Sequence, residues 1–291
     1  MLTNALNHPH SRYGVIGNPI GHSRSPLIHQ AFAAQTGLSL IYTAILAPLD
    51  GFEATVAAFR QEGGRGLNVT VPFKAQAFAL CHTLSERAAR AGAVNTLIFP
   101  PDPQGNIQGN IQGEIQGDNT DGVGLLQDFA FQGIKLLGEK VLLLGAGGAS
   151  RGVLAPLLAE QPAQLRIANR REKTAQALIA DFADLADKTA FTACALDAIP
   201  AEPFDVIINA TSAGLSDTEL PLPEALIHAD TVVYDMAYGH GPTVFMRWGQ
   251  ARGAQAFDGL GMLVEQAAQS FYLWHGIYPD TRPVRDLLRA T

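Results

Sequence analysis

Residues 141–152, Val-Leu-Leu-Leu-Gly-Ala-Gly-Gly-Ala-Ser-Arg-Gly, constrain this chain more than any other stretch. Four apolar residues run into a glycine cluster, and small residues then open a helix. Buried strand, tight turn and helix start, in that order, form the context that a dinucleotide-binding fingerprint requires. Gly145 permits the sharp turn, Gly147 lets the backbone approach a pyrophosphate, and the helix start aims unpaired N–H groups at the anion. Ser150 stands where a third glycine is expected. A glycine turn alone also serves as a plain tight connection, so the rest of the chain has to decide.

The strand after this turn, Leu165–Arg171, ends in Asn169-Arg170-Arg171. An acidic residue at such a strand end holds a ribose 2′-hydroxyl, whereas arginine accommodates a 2′-phosphate through bidentate, charge-assisted bonds. The arginines point to NADP, and Glu172 keeps NAD open. Further strands are expected at Phe204–Asn209, followed by the small polar loop Ala210–Gly214, and at Thr231–Asp235, with Met236 and Tyr238 beyond its end. A helix containing Trp248 follows. A long amphipathic helix, Met262–Gly276, then carries Gln266, for which a solvent-facing position is the plainer expectation; for Met236 it is core filling.

The first half alternates strands and helices as an α/β unit with a mostly parallel sheet does. Strands are expected at Arg12–Gly17, Leu38–Leu46, Gly66–Val71 and Gly92–Phe99. Helices are expected from Ser25 to about Thr36, Gly51 to Gln61 and about Gln76 to Ala91. Ser25 before Pro26 reads as an N-cap; together with Ser23 it also offers hydroxyls at a strand's carboxyl end for a carboxylate. Asn68 and Thr70 share a strand face, and Lys74 lies just past that strand's end, where open α/β sheets bind ligands. Asn95 rides on the fourth strand. Asp121 opens a helix, either favouring its positive end or orienting Lys74. The tandem repeats Asn106–Gly109, Asn110–Gly113 and Glu114–Gly117 read as an expanded, glycine-punctuated hairpin or loop without chemistry of its own.

The 291 residues favour two domains, and 47% hydrophobic residues can fill two cores. A net charge of −7 without a basic run argues against nucleic acid. Two distant cysteines and eight histidines without HxxxH or HExxH spacing argue against disulfides and metal, and fit a reducing cytoplasm. No signal peptide is read in residues 1–12 and no membrane span anywhere, so a soluble protein is expected.

Nine stretches in order resemble the shikimate dehydrogenase family over nearly the whole chain. They are Ser23-Arg-Ser25-Pro, Asn68-Val-Thr70-Val-Pro-Phe-Lys74, Gly92-Ala-Val-Asn95-Thr, Asn119-Thr-Asp121-Gly, Gly145-Ala-Gly147-Gly148-Ala149, Asn169-Arg170, Asn209-Ala-Thr211-Ser-Ala-Gly214, Tyr234-Asp-Met236-Ala-Tyr238 and Gly259-Leu-Gly-Met262-Leu-Val-Glu-Gln266. The resemblance implies an α/β fold of two domains. One is a substrate domain formed by both chain ends (1–120 with 259–291), and the other a Rossmann-like, doubly wound NADP-binding domain (121–258). It implies Lys74 and Asp121 as the catalytic pair and Ser23 and Ser25 on the substrate carboxylate. Asn68, Thr70, Asn95, Tyr238 and Gln266 would take the substrate's hydroxyl and keto groups. Gly145, Ala146, Gly147, Gly148, Ala149, Asn169, Arg170, Arg171, Thr211, Met236 and Gly259 would contact NADP. Arg171 replaces a frequent threonine, Thr174 stands where a second basic residue is common, and the loop 105–117 is long. The implied activity is NADPH-dependent reduction of 3-dehydroshikimate, by a cytoplasmic monomer or homodimer with a small-molecule substrate and neither nucleic-acid nor membrane partners. Two other readings stay open: an NAD(P)-dependent quinate/shikimate dehydrogenase, and a non-catalytic dinucleotide-binding regulatory protein.

Overall fold

The computed structural model describes residues 11–101, 113–211, 220–239 and 241–290. Residues 1–10, 102–112 (the first tandem repeat and all but Gly113 of the second) and 212–219 (with Ser212–Gly214) lie outside them, so the leader and small-loop readings and most of the repeat-loop reading concern residues not described. Contacts divide the chain into two compact units, Met1–Thr120 with Ala267–Thr291, and Asp121–Gln266.

In the second unit, six parallel strands are ordered β12-β11-β10-β7-β8-β9. They are β7 (Lys140–Leu144), β8 (Gln164–Asn169), β9 (Ala190–Ala195), β10 (Val206–Asn209), β11 (Val232–Asp235) and β12 (Gln255–Asp258). Counted from β7, this is the doubly wound order 3-2-1-4-5-6, with its switch point between β7 and β10. Both faces of the sheet are covered, so the central strands are apolar without alternation: Val141, Leu142, Leu143 and Leu144 are all fully buried. The helices are α5 (Asp121–Gln132), α6 (Gly148–Ala159), α7 (Glu172–Phe182) and α8 (Val244–Gln250). β9 and β12 escaped the sequence reading. β9 alternates poorly, and β12 is only four residues long.

The first unit has a mixed sheet, β2-β1-β3-β5-β6-β4. Its strands are β1 (Ser11–Gly17), β2 (Leu40–Leu46), β3 (Gly64–Val69), β4 (Thr83–Leu84), β5 (Thr96–Ile98) and β6 (Gln116–Asp118). The sheet is mostly parallel, as expected: the β1–β2, β1–β3 and β4–β6 pairs are parallel, and β5 runs antiparallel to both β3 and β6. β5 and β6 are the arms of a hairpin whose connection holds the repeats, and the third repeat itself supplies Gln116 and Gly117 of β6.

The helices of this unit are α1 (Ser25–Thr36), α2 (Phe52–Gln61), α3 (Lys74–Leu80), α4 (Glu86–Ala91) and α10 (Arg282–Arg289). The single helix expected over 76–91 is two, because Ser85 leaves helical geometry and caps α4, accepting from the Ala88 N–H at 3.2 Å. α9 (Leu260–His275) belongs to the second unit up to Gln266 and to the first from Ala267 onward. The core beside β1 is aromatic. His29 is stacked on Tyr42 at 4.1 Å between ring centroids and 5.4 Å from Trp274, and Tyr13 lies 4.8 Å from Trp274.

Candidate functional site

In the first unit, strand direction decides which residues share an edge. Asn68 at the end of β3 pairs with Thr96 at the start of β5, and Thr96 pairs with Asp118 at the end of β6. Because β5 is reversed, Asn95 before it and Thr120 after β6 fall at the same edge as the carboxyl end of β3. Asn95 therefore precedes its strand rather than riding on it, and Thr70 follows β3 rather than lying within it.

The backbone there is tied closely. Thr70 N–H donates to Ile16 O at 3.0 Å, Phe73 N–H to Thr70 O at 3.0 Å and Val94 N–H to Lys74 O at 3.0 Å. Phe73 is fully buried and stacked on Phe52 at 5.0 Å. That anchor fixes the start of α3, where half-buried Lys74 is the first residue. A Cβ on Gly17 would collide with the Thr70 side chain, so glycine is what lets β1 and the Thr70 turn lie together.

Ser23 and Ser25 follow β1. Ser25 is not the N-cap: Arg24 holds that position without a side-chain cap bond, and Ser25 is the first helical residue. Pro26 follows within the first turn, where its missing N–H has no intrahelical partner to lose. The Ser25 N–H donates to Ser23 Oγ at 3.4 Å, and the buried Ser25 hydroxyl meets the Tyr42 phenol.

A buried polar network runs along this edge. Tyr42 donates to Asn68 Oδ1 at 2.7 Å, and Asn68 Nδ2 lies 2.8 Å from Ser270 Oγ and 3.2 Å from Thr96 Oγ1. Asn95 Oδ1 accepts from Thr120 N–H at 2.9 Å and from Thr96 Oγ1 at 2.9 Å. Asn68 thus spends its donor hydrogens within the protein. Burial raises the Tyr42 pKa well above its usual value, so the phenol stays a donor. Tyr42, Thr96, Thr120 and Ser270 were missed in the sequence, where a lone hydroxyl carries no pattern. Asp118, which accepts from Arg87 at 2.6 and 2.9 Å and from Ser85 at 2.8 Å, steadies the segment leading to Thr120.

In the second unit, Asp121 is the buried first residue of α5, 6% exposed. Beside it, a Cβ on Gly122 would collide with Pro156, so α5 packs backbone-close on α6. Gly145 takes φ +103°, and its Cα lies against the Ala210 carbonyl and Thr211 at the switch point. Ala146 is buried, and α6 begins at Gly148 followed by Ala149. A Cβ at Gly147 or Gly148 would meet nothing within 4 Å, so this face is open to an approaching group. Ser150 fills the third-glycine place fully buried, its hydroxyl donating to Gly145 O at 2.9 Å.

Asn169 ends β8 and donates to Arg171 O at 3.0 Å, while Arg170 and Arg171 are exposed. Glu172, the residue favouring NAD, accepts from Gln176 at 2.9 Å along the outside of α7. An open glycine cradle at a helix start and exposed guanidiniums one strand away fit a dinucleotide bearing a 2′-phosphate.

Thr211 is fixed by Asn209, whose Oδ1 accepts from the Thr211 N–H at 3.1 Å and from its hydroxyl at 2.7 Å. Met236 packs partly buried against the core, and its backbone is so close to Gly259 that a Cβ there would collide with the Met236 carbonyl. Half-buried Tyr238 follows. Gln266 is half-buried rather than solvent-facing and donates to Leu263 O at 2.9 Å. Among the described residues no helix is long and apolar enough to cross a membrane, and no group of three His, Cys, Asp or Glu side chains could hold a metal.

Three family models match. "Shikimate dehydrogenase substrate binding domain" covers residues 15–97, "Shikimate / quinate 5-dehydrogenase" residues 128–219 and "Shikimate 5'-dehydrogenase C-terminal domain" residues 259–289. The shikimate dehydrogenase (NADP(+)) of Laribacter hongkongensis is 53% identical over 95% of this chain and 97% of its own length. That of Aromatoleum aromaticum is 53% identical over 96% of each. Among solved structures, an Ael1 enzyme from Pseudomonas putida superposes with a TM-score of 0.85 at 44% identity, covering 96% of this chain and 98% of that one. The shikimate 5-dehydrogenase of Thermus thermophilus, in complex with NADP(H) and shikimate, gives 0.82 at 32% identity, covering 96% and 99%. With the doubly wound sheet, the glycine cradle and the Asn68–Lys74 turn all in place, this chain belongs to the shikimate dehydrogenase family.

Proposed function

We propose that the protein catalyses the NADPH-dependent, reversible reduction of 3-dehydroshikimate to shikimate. The carrying observation is the edge of the first sheet. There β5 runs backward, so Asn95 and Thr120 fall at the edge where β3 ends and where Thr70 and Lys74 follow it. Thr120 is fixed by Asn95, and Asp121 is its covalent neighbour.

NADPH, when bound at the glycine cradle with its 2′-phosphate at Arg170 and Arg171, supplies the hydride. As the carbonyl carbon gains it, the C=O electron pair moves onto oxygen, and Lys74 Nζ stabilises that charge and gives it a proton. Asp121 keeps the ammonium in place, and solvent then returns the proton to Lys74. The two hydroxyls of Ser23 and Ser25 orient the substrate carboxylate, while Asn68, Thr70, Asn95, Tyr238 and Gln266 take its other oxygens. The same reading makes the enzyme a cytoplasmic monomer or homodimer, which light scattering distinguishes.

The test is an absorbance assay crossing shikimate and quinate with NADP and NAD. The expected result is turnover of shikimate with NADP far above the other three pairs. Higher kcat/KM with NAD would overturn the arginine assignment, equal use of quinate would overturn the substrate assignment, and no turnover at all would leave the regulatory reading.

A further inference from the structure

Asp235 ends β11, is fully buried, and has no role in the scheme above. Its Oδ1 accepts from two directions: Asn209 Nδ2 at 3.1 Å and the Ala237 N–H at 3.1 Å. Asn209 is the last residue of β10, and its own Oδ1 is fully used by the Thr211 N–H and hydroxyl. The Thr243 hydroxyl, which caps α8 by accepting from the Met246 N–H at 3.1 Å, also interacts with this carboxyl. One carboxyl oxygen thus ties together the turn after β10 and the turn after β11, and the same group reaches the start of α8. Burying a carboxyl is costly unless its hydrogen bonds are made, and burial pushes its pKa up. The neighbouring strand β12 also ends in a buried carboxyl, Asp258, which pushes the Asp235 pKa up further.

The doubly wound order places these two turns on the β10–β11 side of the switch point, opposite the β8 side that carries Arg170. A dinucleotide lies across that point, with its adenosine 2′-phosphate at β8 and its nicotinamide half toward β10 and β11. We infer that Asp235 is a positioning residue for the nicotinamide half of the cofactor. Through Asn209 it sets the Thr211 side chain, and through the Ala237 N–H it sets the backbone of Met236. The inference rests on the proposed use of NADP and goes beyond it by assigning a residue that need not touch the cofactor.

The hydrogen-bond polarity makes the idea testable. In Asn209→Asp the Thr211 bonds survive, but the donor to Asp235 is lost and two carboxyls face each other about where a 3.1 Å bond stood. Adding Asp235→Asn can turn an amide N–H toward the new carboxylate at position 209, which restores that bond but gives up the Ala237 N–H, because one Asp235 oxygen accepted both. NADPH affinity, read by the nucleotide's fluorescence without turnover, is expected to weaken at least tenfold in Asn209→Asp. It should recover at least threefold over that single variant in the Asn209→Asp, Asp235→Asn double variant.

Asp235→Ala is expected to raise KM for NADP at least tenfold while KM for shikimate stays within twofold. A merely structural role would instead lower kcat with the fraction folded and leave both KM values alone. Wild-type affinity in Asn209→Asp, or a double variant no better than that single one, would overturn the inference with the NADP assignment intact. A wild-type protein that binds no NADPH would overturn both. If Asp235→Ala fails to fold, the exchange pair decides.

Discussion

The two units build the ends of their sheets by opposite means. The second unit does it with backbone: an all-parallel aliphatic sheet, glycines whose missing Cβ atoms leave an open cradle, and one helix start. The first does it with side chains, on a mixed sheet whose edge carries a hydroxyl and amide network from Tyr42 to Thr120. The core beside its β1 holds two histidines among aromatic rings, His29 and His275, whereas the described clusters on the second sheet hold none. Backbone recognition is insensitive to most substitutions and to pH; side-chain recognition is sensitive to both. The comparison predicts where each kind of damage should appear.

The largest effect should come from the side-chain unit. Lys74→Ala is expected to lower kcat by about 10²–10⁴-fold, the usual worth of a positioned acid, while NADPH affinity stays unchanged. A folded variant with near-normal kcat would remove the lysine from the chemistry. Loss of NADPH binding instead would mean that the division of labour between the units is wrongly drawn. The reciprocal lesion, Arg170→Ala, should raise KM for NADP about tenfold, within the range of lost charge-assisted bonds after allowance for exposure. It should leave kcat and KM for shikimate alone. Unchanged discrimination between NADP and NAD would move the 2′-phosphate away from the end of β8.

How much of this was legible beforehand follows the same contrast. The second unit's site could be read from residues 141–152 and Asn169–Arg171, because glycines and strand ends have local signatures tied to fixed geometry. The first unit's edge could not be assembled from pattern alone. Local pattern puts Asn95 on its strand and Thr70 within β3; that β5 runs backward is decided instead by the pairing of Leu67 with Leu97 across the sheet. Ser25 was read as a cap from the Ser-Pro pair, yet the structure turns its hydroxyl to Tyr42. Lys74 and Asp121 stand out by position, one just past a strand end and one at a helix start, and the family resemblance adds the catalytic pairing. Asp235 lay in plain view between Tyr234 and Met236, and gained meaning only when Asn209 was seen beside it.

Acid should also separate the units. Burial holds His29 down to about 3 and His275 to about 4, from an ordinary value near 6.5. Below that value the unfolded chain takes up protons that the folded first unit refuses, so stability is full above about pH 6.5 and falls as the pH drops toward 3. For fully buried His29 the loss between pH 7 and pH 5 is about 2 kcal/mol. The two tryptophans are placed to report it: Trp274 lies in the first unit's aromatic core and Trp248 in the second unit. In a Trp248→Phe background, denaturant midpoints followed by Trp274 fluorescence should fall over this pH range. His29→Phe should remove about 2 kcal/mol of that dependence, and an unaltered slope would clear His29 as its source.

The smallest expected effect tests whether the backbone site tolerates its one imperfect residue. Ser150 stands where a glycine would let helix and strand pack closest, but it is buried and gives its hydroxyl to the Gly145 carbonyl, the residue at the turn itself. The serine exchanges closeness for a hydrogen bond that closes the loop it belongs to. Ser150→Ala removes that bond and leaves the volume almost unchanged, so a loss of about 1 kcal/mol in stability is expected. NADPH affinity should shift by less than threefold, because the cradle at Gly147 and Gly148 is open backbone that the hydroxyl does not face. Ser150→Gly loses the same bond and adds helix entropy, costing about 1 kcal/mol more. If Ser150→Ala instead abolished NADPH binding at unchanged stability, the cradle would depend on a side chain after all, and the contrast between the two units would dissolve at its centre.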